Sequence, residues 1–148
     1  MKTLRPILTL LLFLTVTIAW SQDTPMHEWG HTTPYQNGAG VFWPHFKSTT
    51  DPDGNVYVAG EMRYAFDADP GPGVTTLTPV NTNYYEVYVS KYNAAGIFQW
   101  ARKWSQPPYE YYPGSLIVDD NGNLFVNIFI QTAFSTHQTL IVKLDASG

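Results

Sequence analysis

The chain has 148 residues, no cysteine, eight basic and twelve acidic side chains, and only 14% charged residues against 16% aromatic ones. The missing cysteines exclude a disulfide framework, a Cys-based zinc site and a thiol nucleophile, and the acidic balance argues against nucleic acid, whose phosphates attract a basic face. Few charges and many rings suit a β-rich domain with half-buried aromatics.

Lys2 and Arg5 precede an apolar run over residues 7–18, and Ala19 and Ser21 stand where a signal peptidase reads small residues. This predicts a secretory leader over residues 1–21, too short for a membrane span of roughly 20 apolar residues. Lys2 and Arg5 leave with it, taking the net charge from −4 to −6 for residues 22–148. The expected address is secreted or cell-surface, by way of the periplasm in a Gram-negative bacterium, with no membrane span left after cleavage.

His27-Glu28-Trp29-Gly30-His31 has the spacing of a zinc-protease motif. That chemistry needs a helix to bring both imidazoles to one metal, and Pro25, Gly30, Thr32, Thr33 and Pro34 oppose one. The string aligns instead with Gln99-Trp100-Ala101-Arg102. Residues 26–35 are therefore read as a fourth strand of another repeat unit, with Trp29 as its repeat Trp.

The repeat itself comes next. Asp53-Gly54-Asn55-Val56-Tyr57-Val58 returns 68 residues later as Asn121-Gly122-Asn123-Leu124-Phe125-Val126, and the segment 89–96 returns 52 residues later as 141–148. First strands are expected over 41–50 and 115–118. Asp53-Gly54 and Asn121-Gly122 predict two-residue type I′ hairpins, whose central residues both need positive φ. Second strands follow over 55–61 and 123–130, third strands over 86–92 and 138–144, and a fourth over 97–103. Four antiparallel strands per repeat describe a propeller blade. The expectation is an all-β chain of about two β-propeller blades, phased 41–103 and 115–148. The unequal spacings put 16 extra residues into 62–85, where Asp67-Ala68-Asp69-Pro70-Gly71-Pro72-Gly73 predicts an irregular rim loop.

Propellers close with typically 4 to 8 blades, so the phase predicts a fragment of a larger propeller, completed by missing blades, or self-association that closes the ring. Taken together, the strings 51–60, 67–73, 87–92 and 96–101 resemble the bacterial β-propeller repeat (SBBP) family. In the second copy the Asp-x-Asp-Pro-Gly string is absent and Asn127-Ile128 replace Ala59-Gly60, as in an abbreviated repeat. The resemblance implies secreted or surface proteins and no defined activity.

Candidate ligand-binding residues are Tyr84, Tyr85, Trp104, Tyr109, Tyr111 and Tyr112, read in connections flanked by Pro107, Pro108 and Pro113. Rigid rings on rim loops 62–85 and 105–113 suit a protein or glycan partner, or roof the neighbouring blade. Asp67 and Asp69 are a possible calcium pair, although turn chemistry explains the same residues. No paired carboxylates, Ser/His/Asp order or phosphate loop stands out, so no catalytic residue is assigned. The expected function is an exported, non-catalytic propeller scaffold or interaction domain. The alternatives are a carbohydrate-binding domain using the loop aromatics and a non-catalytic part of a larger secreted enzyme.

Overall fold

A computed structural model describes residues 29–30, 45–133 and 135–148. The expected leader, His27, Glu28, His31 and most of the strand expected over 26–35 lie outside the described residues. Trp29 and Gly30 are described, and neither is in a strand. Among the described residues there is no helix, and nine strands follow in order: β1 (Lys47–Thr50), β2 (Val56–Met62), β3 (Phe66–Asp67), β4 (Thr76–Leu77), β5 (Glu86–Tyr92), β6 (Phe98–Trp104), β7 (Glu110–Val118), β8 (Leu124–Ala133) and β9 (Thr136–Leu144). The all-β class expected from the sequence is what the chain adopts.

β1, β2, β5 and β6 form one antiparallel sheet in that order, and β7, β8 and β9 form a second. The internal repeat is thus a repeat of sheets. Residues 68 apart on β2 and β8 occupy matching places, as do residues 52 apart on β5 and β9, because Ala59 pairs with Val89 and Asn127 with Ile141.

The sheets pack face to face. Strand alternation puts Tyr57, Ala59, Val87, Val89 and Trp100 on the forward face of the first sheet, and Leu124, Val126, Ile128 and Tyr111 on the rear face of the second; all nine join one buried cluster. Full burial of a Val, Leu or Ile side chain contributes about 1.5–3 kcal/mol, so this seam is the main source of cohesion between the repeats. The contact is head to tail: Phe125, the counterpart of Tyr57, points away from it.

Three expectations need correction. The hairpins are not type I′ turns. Gly54 N–H donates to the Asp51 carbonyl at 3.0 Å and Asp51 N–H to the Asn55 carbonyl at 3.1 Å, with the same bonds at Asp119, Gly122 and Asn123. That closes a three-residue loop with a left-handed Gly, φ 80° at Gly54 and 77° at Gly122, the other common hairpin form. The Asp51 and Asp119 side chains select it by capping the loop.

The second correction is at residues 110–112, which belong to strand β7 and not to a connection. The prolines misdirect because Pro113 lies inside that strand, where an edge position and the register shift between Pro113 and Ser115 accommodate a residue with no N–H. Only residues 105–109 remain as connection, including a cis Pro107-Pro108 bond.

The third concerns 62–85, which is not wholly irregular. β3 and β4 pair within it, Phe66 opposite Leu77 and Asp67 opposite Thr76. This hairpin folds onto the rear face of the first sheet: Ala68 is buried, Phe66 meets Tyr88 edge-on at 4.9 Å, and Tyr92 Oη lies 3.4 Å from the Ala68 carbonyl. Glu86, 1% exposed, ties it down by accepting Val80 N–H and the Lys103 ammonium, the latter at 2.8 Å.

Candidate functional site

Two constructions stand out, one at each end of the seam between the sheets. At one end are the turns. Asp51 Oδ1 accepts N–H from Asp53 and Asn55 at 3.1 and 2.9 Å, and its Oδ2 accepts Asn55 Nδ2 and the Tyr57 hydroxyl. Asn93 does the same for Ala95 and Ile97, Asp119 for Asn121 and Asn123, and Asp145 for Ser147. A short side chain bonding its own following backbone explains why Asp or Asn opens each turn.

The repeat Trp fastens one turn to the next sheet. Trp100 on β6 donates Nε1–H to the Ala146 carbonyl at 3.3 Å, and Lys91 Nζ donates to the same oxygen at 3.1 Å. Trp29 donates likewise to Ala94 at 3.1 Å. Each indole lies over the Gly that ends its turn: a Cβ at Gly96 would stand 2.6 Å from the Trp29 ring, and one at Gly148 2.8 Å from that of Trp100. Lys91 also covers the Tyr57 ring at 5.1 Å. A cleft of about 220 Å³ between the two hairpin turns is lined by Asp51, Asp53, Asn55, Lys91, Asp120 and Asn121, and Asp51 and Lys91 there are already engaged by the bonds above.

At the other end, Tyr85 and Tyr112 approach with ring centroids 6.1 Å apart. Arg63 lies 4.5 Å over the Tyr85 ring, donates to the Asn83 carbonyl at 2.6 Å and stands 3.9 Å from Glu110. Glu110 also accepts Tyr85 N–H. His45 meets Tyr112 edge-on at 5.7 Å and contacts the Glu61 carboxylate at 3.1 Å. Burial, followed by the negative charges of Glu110 and Glu61, pushes the Tyr112 phenol up to about 12. It stays protonated through the ordinary pH range, a hydrogen-bond donor and not a base.

The six ring residues named from the sequence therefore divide. Tyr85 and Tyr112 come together at this rim. Tyr111, 4% exposed, turns into the core, and Trp104 and Tyr109 pack against it. Tyr84 is half-buried in the turn where its N–H donates to the Asn81 carbonyl at 3.2 Å. Arg63, His45 and Glu61 were missed; their one legible signal is that Glu61 and Arg63 flank the end of the second strand, level with Tyr85 at the start of the third.

Asp67 and Asp69 spend carboxylate oxygens on backbone donors. Asp67 Oδ1 accepts from Asp69 and Thr75 at 3.1 and 2.8 Å, and Asp69 Oδ1 from Gly71 at 2.8 Å. Among the described residues no group of three or more His, Cys, Asp or Glu side chains is placed to hold a metal ion. The arrangement orders a loop. No family model, curated protein or solved structure matches the chain.

Proposed function

We propose that the chain is two successive β-propeller blades of an exported, non-catalytic module that presents a rim surface to a partner. The observation that supports this reading is the repeated fastening of a Trp from one unit onto the Asx-capped turn of the next, Trp29 on residues 93–96 and Trp100 on residues 145–148. A fixed head-to-tail relation between like sheets curves progressively, as blades around an axis do. The missing-blade and self-association readings both follow from it. Class averages from electron microscopy of the secreted protein should show a ring with a central channel; an open two-sheet particle would count against the propeller.

The carbohydrate-binding alternative draws on a separate observation, the Tyr85–Tyr112 pair with Arg63 and His45 around it. Ring faces stack on sugars while Arg, His and phenol groups bond hydroxyls. The expected result is glycan-array binding that Tyr85→Ala and Tyr112→Ala each reduce tenfold or more; equal signals from wild type and both variants would remove the reading.

A further inference from the structure

The forward face of the second sheet repeats, at three matched positions near the capped turns, the face with which the first sheet receives it, while Asn127 stands where the first sheet has Ala59. Phe125 stands in the place of Tyr57, Ile141 in that of Val89, and Lys143 in that of Lys91. Even the cation over the ring recurs, with Lys143 Nζ 5.5 Å from the Phe125 centroid where Lys91 is 5.1 Å from Tyr57. In the first sheet Tyr57, Val89 and Lys91 are buried; in the second, Ile141 is 70% exposed, Lys143 is exposed and Phe125 is half-buried, and Ile117 and Phe129 on the same face are exposed as well.

The complementary half is also present, on the first sheet. The 93–96 turn has the geometry of the 145–148 turn, and Ala94 lies beside Gly54 as Ala146 lies beside Gly122. One bond differs. The Ala146 carbonyl accepts from both Trp100 and Lys91, whereas among the described residues the Ala94 carbonyl accepts from Trp29 alone. A carbonyl has two lone pairs. Lys143 has the position of Lys91 and lies exposed, so the chain carries a donor and an acceptor that match each other but sit at opposite ends of the molecule.

We propose that the forward face of the second sheet docks a second copy of this chain, head to tail, with Lys143 of one copy donating to the Ala94 carbonyl of the next. The β3–β4 insert covers Tyr88 and Tyr92 on the receiving side. The joint therefore centres on Val56, Val58 and the 93–96 turn. A joint between unlike faces extends into a ring when the rotation closes and a filament when it does not. The inference rests on the blade reading above, extended from one chain to two.

Light scattering across a concentration series of the secreted protein should give a multiple of the chain mass. Ile141→Asp, at an exposed position that leaves the fold intact, should raise the dissociation constant roughly tenfold or more. The absence of cysteine allows a clean orientation test: chains carrying Lys143→Cys mixed with chains carrying Ala95→Cys should be joined by a short bismaleimide, and neither preparation should be joined alone. A single-chain mass at every concentration overturns the proposal, as does an assembly that Ile141→Asp leaves unchanged or that lacks the 95–143 link. A single chain that forms a closed ring overturns it and leaves the propeller standing. The 95–143 link in an open filament supports it and removes the ring.

Discussion

Asp51 shows how much one short side chain can hold: its carboxylate accepts two backbone N–H groups, the Asn55 amide and the Tyr57 hydroxyl. Asp51→Ala should lose about 2 kcal/mol, since a hydrogen bond to a charged group is worth about 1.5–3 kcal/mol and part of the loop rehydrates; urea denaturation measures it. Burial opposes ionisation of Asp51, yet the bonds from Asn55 and Tyr57 and the charge of Lys91 hold its pKa below the ordinary value of 3.8. The Ser147 hydroxyl does the same for Asp145, and the Asn123 amide for Asp119. A depressed carboxylate pKa stabilises the fold above the unfolded value and loses that contribution as pH falls through the folded one. Melting temperature should thus hold steady down to about pH 5 and drop once pH passes below about 4. A stability maximum below pH 4 would contradict these roles. Gly96 carries a second residue-scale demand: its φ is 77° and its missing Cβ makes room for Trp29. Gly96→Ala should cost about 1–2 kcal/mol from the left-handed backbone alone and red-shift the Trp emission.

Elements were legible where a local signal fixed them. The third strand of the first sheet begins and ends where Glu86 and Tyr92 predicted, because a pattern of β-formers closes on an Asx turn. The 16-residue difference between repeats correctly located the insert, but its hairpin was invisible: Phe66 pairs with Leu77 and packs on Tyr88, a contact with the sheet that no local pattern announces. Likewise Pro113 hid the start of β7, since nothing in the sequence says that this strand lies at a sheet edge. For the rim site, tyrosines could be named but not sorted, because which ring faces the core depends on the register of β7 against β8. The insert's anchor gives the element-scale prediction. Glu86→Ala removes a buried carboxylate from Lys103 and Val80 N–H, and should cost about 3 kcal/mol. Limited proteolysis should then cut within 63–85 before any other site; unchanged cleavage would contradict the anchoring role.

At the scale of the molecule, the claim is that like sheets stack in one direction through a Trp laid on the neighbouring turn. The same contact accounts for the missing side chain at Gly96 and Gly148, over which the indoles lie, and it accompanies the buried seam between the sheets. Through-space NMR contacts from the indole rings test the stacking most directly. The account predicts cross-peaks from Trp29 to Gly96 and from Trp100 to Gly148, the second crossing from the first sheet to the last turn of the second. Contacts from Trp100 to its own sheet alone, with none to residues 146–148, would contradict it.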